Sequence, residues 1–266
     1  MDIDLHQAEA ALQNSYRANA AQYRYDDEIE VQTPHHQRLA GNLAAISSSF
    51  GRRISVLDVG CGTGRFFYCL RNVDRLVGMD ISPEMLLAAE QPVYREKITA
   101  RTVQLIQGNA FFASFEPQSF DLIYSFGMFG HGCPVTVDVC NKFYSWLAPG
   151  GQLYFDTVDV RGVCLSRRLK WQLRKMLYHA LPPKARRALD QREGHTPFFG
   201  LTRRQLNQIM RQSRFPHFAI VSEICHSPLW KGRHLECRAG VSAFQNFTNI
   251  TPPNSTANPA PESPTP

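Results

Sequence analysis

Between Val56 and Gly64 the chain reads Val-Leu-Asp-Val-Gly-Cys-Gly-Thr-Gly. The apolar run ISVLDV over 54–59 has the near-continuous hydrophobicity of a strand buried on both faces. Glycines 60, 62 and 64 let the backbone turn tightly and let a ligand approach the main chain. Such a ligand lies at the carboxyl ends of parallel strands, where open α/β sheets bind small molecules. A helix over TGRFFYCLRNV is expected next. Its start would offer unpaired N–H donors and a positive dipole end, suited to a carboxylate. A dinucleotide fingerprint requires G-x-G-x-x-G. Counted from Gly60, its last glycine would fall on Arg65. Here the third glycine is Gly64, and Asp58 stands two residues before the first. The tighter turn leaves less room for a pyrophosphate, and Asp58 can accept from an ammonium. The pattern fits an amino-acid-like ligand; a nucleotide-dependent oxidoreductase is the competing reading.

Asp80 ends VGMD, twenty residues after Gly60. A carboxylate at the end of the second strand can accept from both ribose hydroxyls, a feature shared with dehydrogenases. Ile81 and Met85 are apolar neighbours able to flank an adenine ring or to serve the core. Taken together, VLDVGCGTG and the residues after it resemble the class I S-adenosylmethionine (SAM)-dependent methyltransferases over about residues 50–160. The resemblance implies SAM as cofactor, held by Asp58, Gly60, Cys61, Gly62, Gly64 and Asp80. It also implies that Asn109 bonds the adenine amino group while Ala110 offers its backbone N–H to a ring nitrogen. Asn109 carries both an acceptor and a donor, and a turn-forming Asn is the alternative. FDLIYSFGMFGH matches the family's fourth strand, which puts Ser125 and Phe126 beside the sulfonium. An aromatic face there favours a cation. His131 follows at the rim, where a near-neutral pKa suits a general base. Lining the substrate and a structural role are its other readings.

These residues need a scaffold. Strand-like runs at 54–59, 75–81, 102–109, 120–127 and 151–159 alternate with helical segments. The segments are SPEMLLAAEQ, opened by Ser82 and Pro83, and VTVDVCNKFYSWLA, stopped by PGG at 149–151. Two further strands, 218–225 and 234–241, read as a hairpin at the sheet edge. The fold class expected is therefore α/β: a three-layer Rossmann-like sandwich with a mostly parallel seven-stranded sheet and an antiparallel edge hairpin. Helices at 5–24 and 34–47, separated by a loop, form an N-terminal cap over 1–50. The core spans 51–160, a basic insertion 161–200, and a C-terminal helix (201–212, Thr202 as N-cap) with the edge strands 201–245. Tyr16, Tyr23 and Tyr25 either fold over the cofactor or simply pack the helix. Residues 246–266 carry six prolines in TPPNSTANPAPESPTP and read as a disordered tail.

Of the net charge of +6, residues 161–195 hold ten Lys/Arg against two Asp/Glu, which leaves −2 for the rest. The basic helix 164–181 has a leucine stripe on one face. It reads as a lid or as a peripheral contact with an anionic membrane. No nucleic-acid-binding module stands beside the core, so no nucleic acid is expected. The seven cysteines form no C-x-x-C pair, which speaks against a disulfide framework. The spacing of Cys225, His226 and His234 near Trp230 matches no zinc pattern, and no metal is expected. The start is polar rather than signal-like, no run approaches a membrane span, and the Asn-x-Thr triplets of the tail read as chance. The expected location is cytoplasmic, with peripheral membrane contact as a variant. The expected activity is methyl transfer to a small-molecule or lipid-like acceptor. The alternatives are a non-catalytic SAM-binding protein and a protein or nucleic-acid methyltransferase.

Overall fold

A computed structural model describes residues 13, 21–130, 133–162, 180–182, 199–226 and 231–244. His131, most of the helix expected over 5–24, most of the basic helix 164–181, Trp230 and the tail lie outside the described residues.

A helix over 21–30, α1, is followed by α2 (Pro34–Ser49). Thr33 caps α2: its side chain accepts from the His36 N–H, and Pro34 occupies the first turn. The strands and helices then alternate as β1 (Ile54–Val59), β2 (Val73–Asp80), α3 (Pro83–Ala89), β3 (Thr102–Gln107), β4 (Phe120–Phe129), α4 (Val137–Trp146) and β5 (Leu147–Val158). They end in α5 (Arg203–Gln212), β6 (His217–His226) and β7 (Lys231–Gly240). The sheet order is β3-β2-β1-β4-β5-β7-β6. The first five strands are mutually parallel, and β7 runs antiparallel to both β5 and β6. This is the expected seven-stranded Rossmann-like sheet, with the last strand inserted between β5 and the edge.

Each face of the sheet has its own core. One joins Leu57, Val59, Ile123, Leu153 and Phe155 to Phe143 of α4 and Leu206 of α5. The other joins Val56, Leu76, Leu122, Tyr124 and Tyr154 to Leu39, Leu43 and Ile46 of α2. The parallel order reverses between β1 and β4, since β2 and β3 lie to one side and β4 and β5 to the other. The carboxyl end of β1 is therefore a switch point, where ligand crevices form.

Three local expectations fail. Beyond Gly64 there is no α-helix, only turns and a one-turn 3-10 helix, Phe67–Cys69, after which Leu70 is extended. The register sets this. Ile54 lies opposite Val73, so the chain must return the full length of β1 between Gly64 and Val73. An α-helix gains about 1.5 Å per residue, roughly 13 Å over that stretch. A six-residue strand is about 20 Å long. More extended structure covers the distance. Secondly, α4 ends at Trp146 rather than at the PGG, because Leu147 is already extended and pairs with Phe120. Thirdly, residues 26–30 continue α1 where a loop was expected, held there by Asp27.

Candidate active site

Strand β1 delivers Asp58 and the glycine loop to the switch point. Gly60, Gly62 and Gly64 all have positive φ, at 73°, 53° and 76°. Two of them differ instructively. A Cβ on Gly60 would lie 2.8 Å from the Met128 sulfur, so contact and backbone both demand glycine. A Cβ on Gly62 would meet nothing within 4 Å, so there the left-handed backbone alone demands it and the space above is open. The Gly60 and Cys61 N–H groups both donate to the Met79 carbonyl, at 2.7 and 3.0 Å.

Asp80 closes the turn from the neighbouring strand. One carboxylate oxygen accepts from the Gly62 N–H at 2.9 Å and the other from the Ser82 N–H at 2.9 Å. Ser82 in turn caps α3 by accepting from the Met85 N–H. Each carboxylate oxygen retains a lone pair after one such bond, so the grip on the loop leaves capacity for ligand hydroxyls. Burial raises the Asp80 carboxyl above its usual range, and the backbone N–H groups of Ser82, Gly62 and Ile81 oppose that. Asp58 is fully enclosed. Burial pushes its carboxyl up to about 8, the Tyr124 hydroxyl pulls it down, and the nearby Asp80 charge adds to the rise. Two buried carboxyls beside an open glycine turn suit a ligand bearing an ammonium and hydroxyls.

The remaining residues expected at the site fall close by. Met85 and Ala110 are buried, and Ile81 is half-buried with its carbonyl accepting from Gln13 and Gln107. Asn109 shapes its own turn: its side-chain oxygen accepts from the Phe111 N–H at 2.9 Å. Phe126 stands in an aromatic group, with ring centroids 4.9 Å from Phe66 and from Tyr154. Ser125 is on the opposite side of β4 and wholly buried, its hydroxyl without a partner.

Two further sets of residues stand out, of which sequence reasoning weighs only His234, and with other partners. The first latches the N-terminal cap onto the loop. Asp27 of α1 accepts from the Thr63 hydroxyl and, at 3.4 Å, from Arg65. Arg24 reaches the Gln91 carbonyl and Gln32 the Tyr94 hydroxyl. Burial raises the Asp27 carboxyl, and Arg65 opposes this. Tyr25 is largely exposed and Tyr23 partly so.

The second set is a polar row where α2 crosses β5 and β7. The Asn42 amide donates to the Tyr154 hydroxyl at 2.9 Å, which donates to Glu236 at 2.7 Å. Arg38 makes a two-bond pair with Glu236. One turn earlier, His35 stands by Asp156 and His234. The His234 Nδ1 lies 2.5 Å from Asp156, whose other oxygen accepts from the Gly127 N–H at 2.7 Å. Burial alone would raise Asp156, but His234 holds it below the usual carboxylate range. Burial alone would lower His234, but Asp156 holds it above the ordinary imidazole value. His35 is lowered by burial. Asp156 and His234 are 78 residues apart, and no short-range motif announces them.

A family model described as a methyltransferase domain matches residues 56–151. Over residues 56–151 the chain is thus similar to methyltransferase domains. The demethylmenaquinone methyltransferase of Lactococcus lactis is 31% identical over 107 residues, covering 38% of this chain and 40% of that protein. That of Listeria monocytogenes is 36% identical over 107 residues, covering 37% and 42%. The chain thus spans about two fifths of the length of the curated relatives it matches. Among solved structures, a Burkholderia thailandensis 1,6-didemethyltoxoflavin-N1-methyltransferase, with that compound and S-adenosylhomocysteine bound, superposes with TM-score 0.57. It is 18% identical, covering 90% of this chain and 91% of that one. A SAM-dependent methyltransferase from Thermotoga maritima gives TM-score 0.53 at 16% identity, covering 85% and 98%. Those two likenesses establish the fold. The open turn over Gly62 and the carboxyls of Asp58 and Asp80 fit SAM, the cofactor of the methyltransferase domain.

Proposed function

We propose that the chain is an enzyme that transfers the methyl group of SAM to a small-molecule or lipid-like acceptor. The observation that carries this is the Asp80 bridge to Gly62, which holds the open glycine turn against the end of β2. In this reading Asp58, Gly60, Cys61, Gly62 and Gly64 hold the amino-acid end of the cofactor and Asp80 its ribose. Ile81, Met85, Asn109 and Ala110 receive the adenine, and Phe126 borders the sulfonium, whereas Ser125, buried on the other side of β4, does not reach it. SAM supplies a methyl group already activated on sulfur. The protein's work is then to align the acceptor and exclude water. The α1 latch through Asp27 and Thr63 closes one side of the cleft. His131 follows β4, and its roles are to position the acceptor or take its proton. The two relatives named above are demethylmenaquinone methyltransferases, which favours a ring acceptor carrying a lipid tail. Among the described residues no helix is long and apolar enough to cross a membrane. The basic segment 164–181 is proposed to meet an anionic surface instead.

Calorimetry with S-adenosylhomocysteine tests the cofactor site. Loss of a hydrogen-bonded charged acceptor costs about 1.5–3 kcal/mol, so Asp80→Ala is expected to weaken binding by roughly 10- to 100-fold. Unchanged affinity would remove the assignment. Asp58 adds a proton signature. Its carboxyl is protonated below about 8, and a bound ammonium favours the ionised form. Binding at pH 7 is therefore expected to release protons, read as an enthalpy that depends on the buffer. Methyl-labelled SAM with reduced demethylmenaquinone tests the acceptor class, and His131→Ala is expected to lower turnover more than cofactor affinity. Flotation with anionic and neutral liposomes tests the surface contact: binding that salt does not weaken would rule it out.

A further inference from the structure

We propose that His35, Asp156 and His234 form a binding site for one divalent transition-metal ion of the zinc class. Three separate elements supply the ligands: α2, β5 and β7. One ligand atom from each lies within 4.8 Å of the other two, and no other group of three His, Cys, Asp or Glu among the described residues converges in this way. Two imidazoles and a carboxylate are the donor set that zinc, cobalt and ferrous ions accept, and three protein ligands leave a position open for an oxygen ligand.

The geometry needs only small adjustment. Bonds of about 2.0–2.2 Å place tetrahedral ligands about 3.3 Å apart, within reach by side-chain rotation. The 2.5 Å separation between His234 and Asp156 widens as the shared proton leaves. The proton displaced from Nδ1 goes to the far ring nitrogen or, from a doubly protonated ring, to solvent. The carboxylate is already aimed, because the Gly127 N–H fixes its other oxygen at 2.7 Å. That is the outer-shell support ligating carboxylates ordinarily have. The local charge also permits a cation. Arg38 stands 3.4 Å from the His35 Nδ1, but its guanidinium keeps both bonds to Glu236 if that long contact is given up. With neutral imidazoles, two carboxylates face one guanidinium, a net negative charge. His35 is half-buried, which offers an entry path.

The test uses the full chain, stripped with a chelator and titrated with Co²⁺ and then Zn²⁺. The expected result is one ion per chain, with the visible d–d bands of a low-coordinate cobalt site and no thiolate charge-transfer band. Six described cysteines are buried, so that band separates the proposed ligands from adventitious sulfur. Outer-shell changes alone cost about 10- to 100-fold in metal affinity. His35→Ala and Asp156→Asn, which remove ligands, are each expected to lose ~100-fold or more, while Cys225→Ser binds as the unmodified protein does. Binding of less than one ion per ten chains, or wild-type affinity in both ligand variants, overturns the proposal. The cobalt spectrum of the unmodified chain decides the matter even if a variant fails to fold. S-adenosylhomocysteine affinity, measured on the same samples, keeps this outcome separate from that of the methyltransferase reading.

Discussion

The two faces of the β5–β7 pair are equally buried and chemically opposite. On one face Leu153 lies opposite Ala239, Phe155 opposite Cys237 and Thr157 opposite Leu235. On the other, Tyr154 lies opposite Arg238, Asp156 opposite Glu236 and Val158 opposite His234. All of these residues are buried. The first face packs against α4 and α5, where most close-packed arrangements of the right volume would do. The second meets His35, Arg38 and Asn42, one stripe of α2, and each of these has a specific counterpart. Two carboxylates directly opposite each other would ordinarily repel. Here Asp156 turns to His234 and Gly127, and Glu236 to Arg38 and Tyr154. The apolar face supplies adhesion. The polar face fixes where α2 sits, and so where α1 meets the glycine turn.

The sharpest way to break this contrast is to delete one anchor from each face. Phe155→Ala removes a fully buried ring and is expected to cost about 3–5 kcal/mol. Glu236→Leu leaves Arg38 facing an apolar side chain and is expected to cost a similar 3–5 kcal/mol. The causes differ, and a second substitution exposes the difference. Arg38→Leu added to Glu236→Leu removes the unpaired charge and is expected to restore much of the loss. No single change in the neighbourhood of Phe155 refills its cavity as simply. Denaturant unfolding of these three variants and the parent measures this. A double variant no more stable than Glu236→Leu would show that shape, not charge, governs the polar face.

A second test moves along the polar side of the sheet to Asp58. Its folded-state pKa of about 8 is above the unfolded value near 3.9. Between those values the folded chain holds a proton that the unfolded chain has lost. This group's contribution is therefore fully present below pH 4 and is lost as pH rises towards 8. The slope approaches ~1.4 kcal/mol per pH unit. Asp58→Asn is expected to remove it, so that the variant gains on the parent steadily from pH 5 to 8, while its affinity for S-adenosylhomocysteine falls. Parallel stability curves would show that Asp58 is ionised in the folded state.

The glycine turn was legible because it is local. Asp58, the three glycines and Asp80 sit within 23 residues, and strand periodicity fixes where they lie in the fold. The polar row was not. His35 belongs to a helix with a weakly patterned face, while Asp156 and His234 sit inside strands where a lone polar residue reads as an outward position. Their burial follows from insertion of β7 beside β5 and from α2 lying across both, which are long-range events. The helix expected after Gly64 failed for a related reason. Composition favoured it, but the registry of β1 with β2 demanded more length than a helix provides.

The smallest expected effect probes the polar row most finely. Tyr154→Phe keeps the ring against Phe126 and removes only the hydroxyl that joins Asn42 to Glu236. Arg38 still neutralises Glu236, so no charge is stranded. The Asn42 amide loses its acceptor and Glu236 loses one donor while keeping both bonds to Arg38, a combined cost of about 2–3 kcal/mol. The expected result is a loss of that size in unfolding free energy, with S-adenosylhomocysteine affinity unchanged. A larger loss, or one that carries cofactor affinity with it, would mean that the row transmits the seating of α2 to the glycine turn rather than only holding the helix in place.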